Sequence, residues 1–169
     1  MNNAFIALGG NLGDVKQTFQ TACRALNDTC AIMAISKLYH TPALTAPNSP
    51  SQPDYWNAAV HVQTQLPPNM LLTTLHQIEA QHGRKRTEHW GSRTLDLDLI
   101  AYEQLISTQP ELKLPHPEIP HRLFVLQPLM DIAPLWVHPA TGVSLSTMIT
   151  NLIDAGEQLH KGEAWQLQH

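Results

Sequence analysis

The residues best suited to chemistry are two aspartates separated by one leucine, Asp96 and Asp98. Alternate side chains of a β-strand lie on the same face, so both carboxylates would point away from the neighbouring leucines. Their Cα atoms would then lie about 6.6 Å apart, at roughly 3.3 Å rise per residue. Magnesium is usually bound by few carboxylates together with substrate phosphate oxygens. The pair is therefore compatible with a magnesium site for a phosphorylated substrate, although for the pair alone a solvated polar strand face is the commoner explanation.

A second chemical feature is a cluster of cations within ten residues, formed by Arg84, Lys85, Arg86 and Arg93. The chain as a whole is acidic, with a formal net charge of −4. Proteins that bind duplex nucleic acid usually have a net basic surface, so this composition argues against that class. A local basic cluster on an acidic chain favours a small anionic ligand, such as a nucleoside triphosphate.

The elements that must position these residues follow from the hydrophobic pattern. In chain order the pattern predicts a strand at 3–8, a helix capped by Asn11 or Asp14, strands at 31–40 and 55–64, a helix from Pro67-Pro68 to Gly83, and a strand at 94–102. The order strand, helix, strand, strand, helix, strand is that of the split βαβ motif. We therefore expect an α+β fold with a ferredoxin-like βαββαβ core, in which helices pack on an antiparallel sheet.

The remainder of the chain is expected to add helices to this core. Residues 121–131 read as a helix despite Pro128, and residues 144–153 read as a last helix. The 169 residues fit one domain spanning 1–169, with a peripheral tail after about residue 151. Two loops, at 42–54 and 83–93, interrupt the regular elements, and loops this long are usually functional or disordered.

The cysteine content and the N-terminal segment indicate the cellular compartment in which we expect the protein. Cys23 and Cys30 match neither a redox pair nor a zinc knuckle, and we interpret them as small buried hydrophobic residues. Few cysteines also fit a reducing compartment. The N-terminus lacks the basic segment and long apolar run of a signal peptide, and no stretch approaches the roughly 20 apolar residues of a membrane helix. We expect a cytoplasmic protein that binds neither membrane nor nucleic acid.

The segment around the aspartate pair, HWGSRTLDLDLI at 89–100, resembles the signature of the 6-hydroxymethyl-7,8-dihydropterin pyrophosphokinases. That signature is a glycine, a small residue or proline, an arginine, two residues, Asp-x-Asp and aliphatic residues. Over roughly residues 4–137 further similar segments follow the family's order: ALGGNLGD (7–14), LYHTPAL (38–44), QPDYWNAAV (52–60), IEAQHGRKR (78–86) and PHPEIPHRLFVLQPL (115–129).

The resemblance implies an enzyme of folate biosynthesis, an ATP-dependent diphosphotransferase. It would move pyrophosphate from ATP to the hydroxymethyl group of the reduced pterin and release AMP. The implied cofactor is magnesium, as two ions, and ATP is the co-substrate. The implied partners are small molecules only, and we expect a monomer.

The resemblance also implies roles for the matching residues. Asp96 and Asp98 would bind the magnesium ions, and Arg84 and Arg93 would join them in catalysis. The residues implied for ATP are Glu79, Arg84, Arg86, Trp90, Arg93, His116 and Arg122. The residues implied for the pterin are Thr41, Pro42, Leu44, Tyr55, Asn57, Trp90 and Phe124. These types suit the task, because an arginine fork binds anionic oxygen pairs, aromatic rings supply flat faces, and an amide matches the aminopyrimidinone edge.

Several alternatives stay open from the residues alone. Glu79 reads almost equally well as a solvated glutamate. Another magnesium-dependent nucleotidyltransferase or phosphotransferase could share only the Asp-x-Asp pair. A ferredoxin-like RNA-binding module would need exposed aromatic residues on its two central strands. We expect the central strands to carry Asp96 and Asp98 instead, which would repel phosphate unless a metal intervened.

Overall fold

The computed structural model describes residues 1–41, 54–83 and 94–167. Its elements are β1 (Asn2–Gly10), α1 (Val15–Leu26), β2 (Cys30–Ile35), β3 (Leu38–Thr41), β4 (Tyr55–Thr64), α2 (Pro68–Gln81), β5 (Asp96–Tyr102), β6 (Ser107–Gln109), β7 (Leu112–Leu114), a 3₁₀ helix (Ile119–His121), α3 (Leu123–Ile132), α4 (Leu145–Asp154) and β8 (Gly162–Glu163). The main sheet has the order β5-β1-β4-β3-β8, with β2 also paired to β4. All of its strand pairs are antiparallel. The predicted mixed fold with an antiparallel sheet is therefore confirmed.

The strand predicted at 31–40 is in fact two strands, β2 and β3, separated at Ser36 and Lys37. Ser36 explains the break, because its buried side chain takes part in the ladder. The Ser36 hydroxyl oxygen accepts a hydrogen bond from the backbone N–H of Ala59 at 2.8 Å, and the Ser36 N–H donates to the Ala59 carbonyl at 2.9 Å. One residue of β4 thus pairs with both the backbone and the side chain of Ser36, which interrupts regular pairing.

One face of the sheet packs against α1 and α2 and forms the larger core. The two predicted apolar faces of β4 and β5 belong to it: Trp56, Ala58, Val60 and Val62, and Leu95, Leu97 and Leu99. The predicted stripe of α1 is buried against them: Val15, Phe19, Ala22, Cys23 and Leu26. Each of the larger side chains contributes about 1.5–3 kcal/mol when fully buried, so this face holds most of the apolar stabilisation.

On the opposite face, α3 and α4 form a second, smaller core with part of the sheet. Ile100 and Ala101 of β5 pack there with Leu126 and Leu129 of α3 and Met148 of α4. Phe5 and Ala7 of β1 contact the same cluster. Beyond Ala7, toward the end of β1, this face of the sheet carries polar side chains instead of a second core.

The helix boundaries have local causes. Asp14, rather than Asn11, caps α1, because its carboxylate accepts a hydrogen bond from the Gln17 N–H at 3.1 Å. Pro67 precedes the first turn of α2, and Gly83 follows its end with a φ of 82°, a conformation that favours glycine. The helices predicted at 121–131 and 144–153 correspond to α3, which contains Pro128, and α4. Every helix in the described ranges is too short or too polar to span a membrane.

Both cysteines are buried, as interpreted from the sequence, and burial raises the pKa of Cys23 to about 12. The tail, expected to be peripheral, contributes a core residue. Trp165 is 6 % exposed and packs edge-on against Phe19, with ring centroids 6.1 Å apart. Its indole N–H donates to the Ser36 carbonyl at 2.7 Å. Together with β8, which pairs with β3, the tail covers the edge of the sheet at the β2–β3 break.

We expect the free energy of unfolding to depend on pH because of His138, which lies in the turn before α4. The Nδ1 atom of His138 accepts hydrogen bonds from the N–H groups of Ala140 at 3.2 Å and Thr141 at 3.3 Å. Burial lowers the pKa of His138 below its usual 6.5. The unfolded chain therefore binds the proton more tightly, and stability is lost as the pH falls through 6.5 toward the folded pKa.

We expect the free energy of unfolding to fall between about pH 7 and about pH 5, and to fall less in His138→Asn. The asparagine oxygen can accept the same two hydrogen bonds without titrating. Urea denaturation across this pH range measures both proteins, and the difference between the two curves isolates His138. Parallel curves would contradict the prediction.

Candidate active site

A row of residues crosses the sheet near the end of β1, on the face that packs against α3. The register pairs Asp96 of β5 with Gly9 of β1, Gly9 with Asn57 of β4, and Asn57 with Tyr39 of β3. Residues directly opposite each other on neighbouring strands have their side chains on one face. Asp98 shares this face because it lies two residues after Asp96. The candidate residues Asp96, Asp98 and Asn57, which come from two distant parts of the sequence, thus lie on one face of the sheet.

The aspartate pair lies on the edge strand, not on a central strand as the sequence analysis expected. β1 and β4 occupy the centre, because the segment between β4 and β5 crosses over β1 and delivers β5 to its free side. Asp96 and Asp98 are half-buried. The residues opposite them on β1 are Gly9, which has no side chain, and Ala7, which has only a methyl group. Neither extends far above the sheet. Two accessible carboxylates on one face suit a hard divalent cation that also binds phosphate oxygens.

Glu79 at the end of α2 is buried, with 1 % of its surface exposed. Its Oε2 atom accepts a hydrogen bond from the backbone N–H of Leu97 at 3.0 Å. Leu97 lies between the two aspartates on the edge strand, so this carboxylate holds the backbone that carries them. The interpretation of Glu79 as a solvated glutamate is wrong for this structure, because helix α2 packs it beneath β5.

His116 and Arg122 lie near the aspartates on the side of α3. The His116 N–H donates to the Ile100 carbonyl of β5 at 2.8 Å, and its Nδ1 accepts from the Glu118 N–H at 3.1 Å. Burial lowers the pKa of His116, an effect that the charge of Asp98 opposes and that of Arg122 strengthens. The charges of Asp98 and Arg122 therefore both act on the His116 ring.

Arg122 precedes the first residue of α3 and lies over the ring of Phe124, 5.7 Å from its centroid. Such a cation–π contact orients the guanidinium group and leaves its N–H donors available. Phe124 is partly exposed at the same helix start. The first turn of α3 thus offers a cation and an aromatic ring next to each other.

Thr41 and Tyr55 are paired where β3 and β4 reach the loop between them. The Thr41 hydroxyl oxygen is enclosed, and it has no hydrogen-bond partner within the described part of the chain. Buried polar atoms are almost always satisfied, so this hydroxyl is suited to a ligand. Six candidates lie outside the described residues: Pro42, Leu44, Arg84, Arg86, Trp90 and Arg93.

A contact not expected from the sequence holds α3 over the sheet. The Tyr39 hydroxyl donates to the carboxylate of Asp131 at 2.7 Å, and the Lys37 N–H donates to the same oxygen at 3.0 Å. Burial and the Asp131 carboxylate raise the pKa of Tyr39. Asp131 lies near the end of α3, so the contact fixes the helix whose start bears Arg122 and Phe124. No local pattern marks it, because the partners lie far apart in sequence.

Comparison with known proteins shows which family this chain is similar to. A family described as 7,8-dihydro-6-hydroxymethylpterin-pyrophosphokinase (HPPK) matches residues 5–134. The chain is 42% identical over 150 residues to the 2-amino-4-hydroxy-6-hydroxymethyldihydropteridine pyrophosphokinase of Synechocystis sp., covering 88% of this chain and 75% of the relative. The protein of the same name from Haemophilus influenzae is 36% identical over 155 residues, covering 90% and 92%.

Longer proteins are matched over only part of their length. The wild-type HPPK-DHPS of Plasmodium falciparum superposes with a TM-score of 0.71 at 14% identity, covering 90% of this chain and 45% of that one. At this identity the superposition shows a shared fold only. The chain is also 36% identical to the folic acid synthesis protein FOL1 of Dictyostelium discoideum, of which it spans 23%.

Proposed function

Because the chain belongs to the 7,8-dihydro-6-hydroxymethylpterin-pyrophosphokinase family, we propose that the residue row across β5, β1 and β4 is its active site. The protein is an enzyme of folate biosynthesis that transfers pyrophosphate from ATP to 6-hydroxymethyl-7,8-dihydropterin. The observation that supports the site is the register Asp96–Gly9–Asn57, which brings a carboxylate suited to magnesium and an amide suited to the pterin to one face. Another transferase sharing only the aspartate pair is not favoured.

We propose a ferredoxin-like βαββαβ core, which the order β5-β1-β4-β3 with α1 and α2 on one face supports. In this proposal α3 and α4 are additions on the other face, and they supply one wall of the site. We further propose that residues 1–169 act as one domain, as a cytoplasmic monomer that binds neither nucleic acid nor membrane.

Asp96 and Asp98 would hold magnesium, as two ions shared with the ATP phosphates. The chemistry of the donor set fits, because magnesium takes few carboxylates and completes its shell with phosphate oxygens. Bound magnesium would neutralise phosphate charge and help align an in-line displacement. Glu79, which the resemblance assigns to ATP, would also hold the backbone between these ligands, since its Oε2 atom accepts a hydrogen bond from the Leu97 N–H.

The remaining residues would bind and orient the two substrates. Asn57 and the Thr41 hydroxyl would hydrogen-bond the aminopyrimidinone edge of the pterin. Tyr55 and Phe124 would supply ring faces for it. His116 and Arg122 would contact the phosphates of ATP beside Asp98. From the resemblance alone, Arg84, Arg86, Trp90 and Arg93 would complete the ATP site, and Pro42, Leu44 and Trp90 the pterin site.

In the reaction, the hydroxymethyl oxygen of the pterin attacks the β-phosphorus of ATP. The bond between that phosphorus and the oxygen bridging to the α-phosphorus breaks, AMP leaves, and the hydroxyl proton is released. No residue of the site needs to act as a covalent nucleophile. Catalysis therefore consists of positioning the two substrates and stabilising the charge that develops on the phosphates.

The nucleotide product tests this assignment. Incubation with ATP, magnesium and the reduced hydroxymethylpterin should yield AMP and pterin diphosphate in equal amounts. A kinase attacking the γ-phosphorus releases ADP, and a nucleotidyltransferase attacking the α-phosphorus releases pyrophosphate. Chromatography of the nucleotides and mass spectrometry of the pterin separate these outcomes, with a reaction lacking pterin as the control. ADP, or pyrophosphate with adenylated pterin, would contradict the proposed function.

A further inference from the structure

Gly9 lies at the centre of the residue row, and the proposed chemistry gives it no role. Among the described residues, the glycines with a positive φ angle are Gly13, Gly83, Gly142 and Gly156, and Gly9 is not one of them. Its pairing on both sides is continuous, since the irregularity between β1 and β5 lies at Phe5 and Ile6. The backbone at position 9 thus adopts a strand conformation open to any residue, so the missing side chain itself needs an explanation.

The space around Gly9 supplies that explanation. A Cβ atom added to Gly9 would lie 3.2 Å from the Oδ1 atom of Asn57 and 3.8 Å from the Cβ atom of Asp96. The first distance is tighter than nine in ten contacts made by Cβ atoms in proteins, so Asn57 would have to move by a few tenths of an ångström. The amide oxygen of Asn57 therefore overlaps the edge of the volume that a side chain at position 9 would fill. Asn57 is 8 % exposed, so its amide has little room to move aside.

The neighbouring row shows the contrast. Two residues earlier on β1, Ala7 pairs with Asp98 on one side and with Ala59 on the other. Here the residue on β4 is an alanine, and a methyl group is present at the central position. A side chain on β1 is thus compatible with the aspartates on β5, and its absence coincides with the row in which β4 carries the amide.

The position of the Asn57 amide matters because one strand, β1, lies between Asn57 on β4 and Asp96 on β5. Adjacent strands lie about 4.7–4.9 Å apart, which puts the backbones of β5 and β4 about 9.5 Å apart across β1. The Asn57 Oδ1 and the Asp96 Cβ can be no farther apart than the sum of their distances to the missing Cβ, about 7 Å. Without a side chain at position 9, the amide leans across β1 and shortens the gap.

We propose that Gly9 is a positioning residue that admits the Asn57 amide toward Asp96, so that the bound pterin meets the phosphates held at the aspartate pair. The inference rests on the proposed function, in which Asn57 binds the pterin and Asp96 the metal. A misplacement of about 1 Å in such a site can cost about a hundredfold in rate. The substituent at position 9 therefore controls the alignment of the two substrates through Asn57.

A double-mutant cycle of Gly9→Ala and Asn57→Ala tests this. Gly9→Ala alone should raise the pterin KM about tenfold or more and lower kcat/KM, with the ATP KM changed less than about twofold. In the Asn57→Ala background the same change should alter kcat/KM less than about twofold, because no amide remains to collide with the methyl group. Calorimetric titration with pterin, in the presence of a non-hydrolysable ATP analogue and magnesium, should show the same non-additivity in affinity.

Equal losses from Gly9→Ala in both backgrounds, or no loss in either, would overturn the proposal. If Gly9→Ala alone unfolds, its unfolding midpoint should be restored by adding Asn57→Ala, and a failure to restore it would overturn the proposal as well. The wild-type product assay is separate from this cycle. Failure of the proposed function would appear as the absence of AMP from the unmodified protein, whereas failure of the present inference would appear only in the cycle.

Discussion

Replacing Asp98 by alanine is expected to lower kcat by about a thousandfold or more, and Asp96→Ala should act similarly. Each change removes a proposed magnesium ligand, which should cost several kcal/mol of transition-state stabilisation. A tenfold loss of rate corresponds to about 1.4 kcal/mol, so a loss of several kcal/mol lowers kcat by a factor that is easily measured. Binding of the pterin should suffer less, because its proposed partners Asn57 and Thr41 lie on β4 and β3.

The measurement is kcat at saturating substrates across a magnesium titration, with calorimetry for the pterin. Asp28→Ala is a suitable control, because Asp28 is an exposed aspartate beyond the end of α1 and should leave turnover unchanged. Asp98→Asn keeps the side-chain size and removes the charge, so it should also lose most of the activity. Near-normal turnover in either alanine variant would remove the metal assignment.

Replacing Glu79 by alanine is expected to lower the free energy of unfolding by about 1–3 kcal/mol, because a buried N–H loses its partner. The group affected is the backbone N–H of Leu97, which donates to Glu79 at 3.0 Å. Since Leu97 lies between the two aspartates, kcat should fall together with stability. Glu79→Gln keeps an oxygen acceptor in the same place, so it should retain more of both quantities.

Urea denaturation and steady-state kinetics distinguish this role from a direct contact with ATP. A residue that only touches the nucleotide would raise the KM for ATP in both variants without changing the unfolding midpoint. Amide hydrogen exchange at Leu97 gives a readout independent of activity, and it should become faster in Glu79→Ala only. Normal stability and slow exchange in Glu79→Ala would contradict a structural role for the carboxylate.

Local patterns in the sequence were sufficient for much of the architecture. The side-chain period of a strand depends only on neighbouring residues, so the apolar faces of β4 and β5 and the opposite direction of Asp96 and Asp98 could be predicted. The stripe of α1 and the buried cysteines follow from the same kind of local information. The family follows from several short motifs in one order, since each motif requires only neighbouring residues.

Other features depend on contacts between residues far apart in the chain, which no local period encodes. The break at Ser36 arises because its side chain competes for Ala59 of β4. Trp165 becomes part of the core because the tail returns to the edge of the sheet at β3.

By itself, therefore, the sequence determined the family, the main helices and strands, and the common face of the aspartate pair, because these depend on residue types and short spacings. Only the tertiary structure decided that β5 is an edge strand, that Glu79 is buried beneath it, and that Tyr39 ties α3 to the sheet through Asp131. It also decided the fit of Asn57 over Gly9. The physical reason is that strand order and side-chain packing are set by long-range pairing, which brings together residues that have no relation along the chain.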